Sequence, residues 1–234
     1  MPEFDRYEHS YREEVERAIG FVRQDLDFFA KAKARELLGL VERRVGNPSE
    51  LIALDVGCGT GETDHDLGSR FSGFHGVDVS ARMIEVASAA NPTFQYQVYD
   101  GRTLPFENET FDVVFAICVL HHVPPTNWPR FVGEMRRVTR KNGLVAVIEH
   151  NPFNPLTRLT VSRCAFDEDA TLLRRKTVER LFDQNGLDRC DARYIMFFPW
   201  DGSVLRSIEV CLRRVPLGAQ YVIAGRPRPS TTTQ

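Results

Sequence analysis

The segment Leu51-Ile52-Ala53-Leu54-Asp55-Val56-Gly57-Cys58-Gly59-Thr60-Gly61 constrains this chain more than any other. An apolar run ends in an acid, and three glycines follow at alternate positions. The run reads as a buried strand and the glycines as a tight turn into a helix. Glycine is required where the backbone takes positive φ or meets a ligand with no Cβ in between. The spacing is G-x-G-x-G, with Glu62 where the dinucleotide fingerprint G-x-G-x-x-G has its third glycine.

Beyond that turn, short apolar runs alternate with helical segments. The pattern predicts strands at 51–56, 74–79, 93–98, 112–118, 143–149, 191–197 and 218–224. Helices are expected near 63–70, 81–90, 127–140 and 174–184, the last closed by Asn185-Gly186 as a left-handed cap. Residues 8–46 carry apolar positions at helical spacing, including Phe21, Val22, Phe28, Phe29, Leu37, Leu38 and Val41, until Gly46-Asn47-Pro48 stops them. This βαβα order implies a mostly parallel sheet with helices on both faces. The longer 198–217 connection allows the final strand to run antiparallel. The expected organisation is an N-terminal helical cap (1–46), a core (47–225) and a disordered tail (226–234). The 152–173 connection is long enough for a substrate lid.

The offset of the glycines and the acid before them resemble motif I of the class I S-adenosylmethionine (SAM) methyltransferases. Four later features fall where that family has them. Phe74-His75-Gly76-Val77-Asp78-Val79-Ser80 is a second strand ending in an acid, 21 residues after Gly57. Tyr99-Asp100-Gly101-Arg102-Thr103-Leu104-Pro105-Phe106 resembles the third-strand motif. Phe111 to Val123, with Ile117 and the pair His121-His122, resembles the fourth strand and its turn. Glu134-Met135-Arg136-Arg137-Val138 with Lys141-Asn142-Gly143-Leu144 resembles the helix and turn into strand five. The likeness is close over about residues 50–150 and loose elsewhere. It implies a Rossmann-like methyltransferase fold with seven strands and SAM as cofactor, S-adenosylhomocysteine being the product.

The same resemblance implies the cofactor-binding residues. Asp55, Gly57, Gly59 and Gly61 form the loop, where Asp55 either orients backbone amides or reaches the cofactor's ammonium through water. Asp78 accepts both ribose hydroxyls, with Val79 beside it; helix capping, its other possible duty, can fall to Ser80. Asp100 and Gly101 meet the adenine amino group or simply make a turn. Met83 packs on the adenine or in the core. Ile117 and His122 complete the set, and no metal ligand is assigned.

Methyl transfer needs alignment first, and a base only when the acceptor must lose a proton. His121 and His122, just past the fourth strand, are candidate bases, since imidazole titrates near neutrality. In an extended segment only one of them would face the cofactor. Glu149 and His150, with Asn151, end strand five on the edge where α/β sheets bind ligands. Arg158, Arg163, Arg174 and Arg175 can hold an acidic acceptor or simply be solvated. Cys164 lacks an activating base nearby and reads as a packed thiol. Trp128 and Trp200 fit either core or pocket wall.

The chain's net charge of −2 gives no overall basic field for nucleic acid. The first 16 residues are too polar for a signal peptide, and no apolar run reaches membrane-spanning length. The five cysteines are scattered without a C-x-x-C, which fits a reduced, cytoplasmic protein. An Asn-Pro-Pro-Tyr run, typical of amino-group methylation of nucleobases and glutamine, is absent, and Ala116-Ile117-Cys118-Val119 stands there instead. The expectation is therefore O- or C-methylation of a small molecule, with no nucleic-acid or membrane partner; oligomeric state is not readable. Two rivals remain: a SAM-binding regulator without turnover, and a nicotinamide-dependent oxidoreductase. The glycine offset and the absence of a Tyr-x-x-x-Lys pair argue against the latter.

Overall fold

Strand β1 (Ile52–Val56) shows why the architecture is layered. Ala53 faces one apolar layer, whereas Leu54 and Val56 face the other. The computed structural model, which describes residues 26–164, 167–200 and 202–229, repeats this alternation in the neighbouring strands. In β4 (Phe111–Ile117), Val113 and Phe115 point one way and Val114 and Ala116 the other. A strand buried on both faces needs helices on both, as the sequence predicts.

Along the chain, α1 (Leu26–Arg44) precedes β1 and α2 (Glu62–Leu67) follows it. Then come β2 (Gly73–Asp78), α3 (Ala81–Ala90), β3 (Gln95–Val98), β4, α4 (Trp128–Val138) and β5 (Thr139–His150). The C-terminal part holds α5 (Pro155–Val161), α6 (Arg175–Gln184), β6 (Leu187–Ile195), α7 (Ser203–Leu212) and β7 (Gln220–Pro227). The sheet order is β3-β2-β1-β4-β5-β7-β6. Strands β1 to β5 pair in parallel, and β7 runs antiparallel to both β5 and β6. The order reverses between β1 and β4, which opens a crevice at their carboxyl ends.

The structure corrects several boundaries. Residues 8–25 of the expected first helix lie outside the described residues, and the described part is more than a cap. Leu37, Leu40 and Val41 of α1 are fully buried against the sheet. The 152–173 segment contains α5, capped by the Asn154 side chain, which accepts from Thr157 N–H. A further helix, α7, lies within 198–217, where the sequence reading expected only a connection, and it buries none of its residues. Strand β6 begins at Leu187, four residues early, because Gly186 at φ 69° turns the chain straight from α6 into the sheet. Arg226 and Pro227, assigned to the disordered tail, extend β7. Arg228 then donates to the Gly186 carbonyl and, through Nε, to Asp188. Residues 230–234 of that tail fall outside the described residues.

Candidate functional site

The glycine turn is built by β1 and pinned to β2. Gly57 and Cys58 N–H both donate to the Val77 carbonyl, at 2.7 and 3.1 Å. Gly57 has φ 85°, and a Cβ there would lie 2.6 Å from the Val119 side chain. Gly59 has φ 53° with nothing within 4 Å of its missing Cβ, so a side chain there would project into open space. These are the two demands that make the loop glycine-rich: left-handed backbone and close approach.

A cavity of about 300 Å³ opens above this turn, at the carboxyl ends of β1, β2 and β4. That volume is at the lower end for small-ligand sites, about 300–1,000 Å³. Asp55, Gly57, Gly59, Asp78, Val79 and Met83 line one end. Gly101, Ile117 and His122 also line it, so most of the expected cofactor residues converge. Gly61 and Asp100 do not. Gly61, at φ 73°, starts α2, and its carbonyl accepts from Asn91 Nδ2. The exposed Asp100 carboxylate accepts 2.8 Å bonds from Arg102 and Thr103 N–H, which hold it below its ordinary pKa. It therefore acts as the cap of a turn, the plainer of its two sequence readings.

Asp78 uses both oxygens on the backbone while bordering the cavity. Oδ2 accepts from Gly59 N–H at 3.0 Å and Oδ1 from Ser80 N–H at 2.9 Å. Ser80 caps α3 through Met83 N–H, and Met83 is fully buried on the cavity wall. Asp55 pairs with Asp64 of α2, a residue the sequence reading missed. Both are buried, and each has one oxygen without a hydrogen-bond partner among the described residues. Burial and then the charge of Asp64 push Asp55 well above the carboxylate range. Burial likewise raises Asp64 to about 6, against the bond from Tyr96 Oη. The sequence signal was Asp64 three residues after Gly61, on the inner face of the first helical turn. From α1, Leu26, Ala30 and Lys33 close the cavity, with Tyr99 on another side.

The histidine pair sits on a 3-10 turn, Leu120–His122, and not on extended chain. Both rings therefore gather on one side, 4.1 Å apart between centroids. Only His122 borders the cavity. His121 is buried and its Nδ1 lies 2.7 Å from Glu149 Oε2. Glu149 is committed too: its Oε1 accepts from Val119 and Leu120 N–H at 2.9 and 2.6 Å. Trp128 Nε1 clamps the same turn through the carbonyls of Leu120 and Val123, neither plain core nor plain wall. His150 packs edge-on against His121, with ring centroids 5.0 Å apart. From the far side, Asp167 places Oδ1 3.5 Å from His121 Nε2 and 3.3 Å from His122 Nε2.

Electrostatics separates these groups. Burial raises Glu149, but His121 and the backbone donors outweigh it and leave its pKa at about 2. Burial opposes charge on His121, yet Glu149 and Asp167 raise it to about 10. Burial and then the His121 charge lower His122 to about 3 and His150 to about 4. Of the four catalytic candidates, His121 and Glu149 form a buried pair behind the wall, and His122 faces the cavity.

The remaining candidates lie elsewhere. None of Arg158, Arg163, Arg174 and Arg175 lines the cavity. Arg174 covers the Phe153 ring and Arg175 the Tyr194 ring. Asn151 spends its side chain on the Pro216 and Gly218 carbonyls and Phe153 N–H. Cys164 is buried, and Trp200 is exposed.

Residues 54–147 match the family model described as methyltransferase domain. The yeast (Saccharomyces cerevisiae) tRNA (carboxymethyluridine(34)-5-O)-methyltransferase is 42% identical over 76 residues, 32% of this chain and 26% of that protein. The chain spans between about a quarter and a half of the curated relatives it first matches. A Thermotoga maritima SAM-dependent methyltransferase, described as a possible histamine N-methyltransferase, superposes with TM-score 0.67 at 18% identity. That match covers 96% of this chain and 99% of the other. Geranyl diphosphate methyltransferase in complex with SAM gives 0.59 at 18% identity, over 83% and 84%.

Proposed function

We propose that this chain, which belongs to the class I Rossmann-like SAM-dependent methyltransferases, methylates a small-molecule acceptor, on oxygen or carbon. The observation that carries the reading is the cavity itself. It joins the glycine turn, Asp78 and Met83 at one end to His122, Pro124, Asn127 and Phe131 at the other. A cofactor and an acceptor can therefore meet within one enclosure.

The residues fit SAM. Gly59 leaves open the space that a Cβ would enter, and the buried Asp55–Asp64 pair gains from a cation brought beside it. When bound, SAM supplies a methyl group already activated on a sulfonium. Asp78 would hold the ribose, because its two-oxygen carboxylate borders the cavity beside the glycine turn. Gly57 and Gly59 would present backbone to the amino-acid end, and Met83, Val79 and Gly101 would bound the base. Ile117 would lie between cofactor and acceptor. On the acceptor wall His122 is the group in reach, while His121 and Glu149 act as positioning residues by fixing the turn that carries it. Phe131, Pro124 and Val123 give that end an apolar lining.

A second reading takes RNA as the acceptor. It rests on the 42% identity to the tRNA enzyme, which is confined to 76 residues. The test is methyl-labelled SAM incubated with the protein and either a small-molecule extract or total tRNA of its host. Label in a small molecule supports the proposal, and label in tRNA replaces it. No label, with S-adenosylhomocysteine binding intact, overturns the enzyme in favour of a binding protein.

A further inference from the structure

Behind the acceptor wall, the geometry leaves one group unexplained. Asp167 is buried, and its Oδ1 receives no hydrogen bond among the described residues. It nevertheless lies 3.5 Å from His121 Nε2 and 3.3 Å from His122 Nε2. A buried carboxylate oxygen held at 3.3–3.5 Å from two imidazole nitrogens, with a short hydrogen bond to neither, has its charge poorly met. One proton can serve one of these two contacts, whereas one cation can serve all three atoms.

We propose that His121 Nε2, His122 Nε2 and Asp167 Oδ1 are the ligands of a zinc-class divalent cation on the acceptor wall. The three ligand atoms lie within 4.8 Å of one another, and among the described residues this is the one such group. Bonds of about 2.0–2.2 Å to a tetrahedral ion set neighbouring ligand atoms about 3.3–3.5 Å apart. Both distances to Asp167 match that spacing. His122, with 18% of its side chain exposed, is the ligand that links the site to the cavity.

The surroundings fit the assignment. His121 gives Nδ1 to Glu149, so Nε2 is the atom turned to the site, the carboxylate–histidine–metal arrangement that fixes a ligand ring. Glu149 and Asp167 place two carboxylates around the rings, and a divalent ion that takes the place of the His121 Nε2 proton would neutralise both. The Asp167 loop is docked on the histidine turn, where Thr171 N–H donates to the His121 carbonyl at 2.8 Å. Three protein ligands leave a fourth position, and His122 puts it at the cavity. An acceptor oxygen there would be oriented and made more acidic by the ion. That role rests on the proposed methyl transfer, whereas binding of the ion does not.

Sequence spacing hid the site, because two ligands are adjacent and the third follows 45 residues after His122, on another segment. The probe is Co2+ titrated into the purified full chain, followed by competition with Zn2+. The expected result is one equivalent of Co2+ with intense visible bands of a low-coordinate site, displaced by Zn2+. Asp167→Asn and His122→Gln should each weaken binding at least tenfold, and Glu149→Gln about tenfold. Circular dichroism and S-adenosylhomocysteine binding on the same samples establish that each variant is folded. Less than a tenth of an equivalent bound by folded wild-type protein overturns the site. So does affinity unchanged in both folded ligand variants. Metal binding without methyl transfer would leave the site standing and remove only the activity, while methyl transfer without metal binding would do the reverse.

Discussion

The cofactor end and the acceptor end of the cavity are built by different means. At the cofactor end, side chains bond to backbone close in sequence or one strand away. Asp78 reaches Ser80 and Gly59, and Ser80 reaches Met83. At the acceptor end, Glu149 of β5 holds the turn after β4, Asp167 arrives from a loop, and Thr171 ties that loop to His121. The first end is a local device repeated on consecutive strands. The second is a junction of three separate segments, and its groups are buried charges that depend on one another. Local devices lose function when cut, whereas a buried junction loses stability.

Cutting the junction should have the largest effect. Glu149→Ala strips the partner of His121 and the acceptor of two amides, so about 3–5 kcal/mol of stability should be lost in denaturant unfolding. A loss below about 1 kcal/mol would show that the junction does not hold the turn.

The matched cut at the other end is Asp78→Ala. S-adenosylhomocysteine affinity should fall by about 2–4 kcal/mol, read by calorimetry, while the unfolding midpoint moves far less. Unchanged affinity would withdraw Asp78 from the ribose.

The Asp55–Asp64 pair sharpens the contrast through pH. Both carboxyls have folded pKa values above their unfolded ones, so their protons favour the folded state. The Asp64 contribution is full below the unfolded value near 4 and fades as pH rises through about 6. Asp64→Asn should therefore gain about 1–3 kcal/mol relative to wild type between pH 5 and 8. Parallel stability curves for the two proteins would show that the pair is ionised throughout.

The smallest effect belongs to Asp100→Ala. Its carboxylate is exposed and serves only a turn in the chain, so cofactor affinity should change less than about threefold, under 1 kcal/mol. A tenfold loss would return Asp100 to the adenine.

Much of the cofactor end was legible in the sequence for the same reason that it is robust. The glycine offset, the acid at the end of β2 and the Ser80 cap each state a requirement met within a few residues. Asp64 escaped because its partner Asp55 is reached only when α2 folds back over β1. The expectation that an extended segment would turn one histidine inward failed on local geometry, since a 3-10 turn replaces the strand after Cys118 at φ 57°. Glu149 read as a ligand-edge carboxylate, but its burial between a turn and an imidazole is a property of the packed sheet.

By itself, the sequence determined the alternation of strands and helices, both buried faces of the sheet and the glycine cradle, because periodicity and backbone conformation are written in neighbouring residues. Only the tertiary structure decided that β7 enters between β5 and β6, that α1 is also buried against the sheet, and that Asp167 meets His121 and His122. Those contacts join positions far apart along the chain, and what selects them is burial and the pairing of charges that burial makes costly to leave alone.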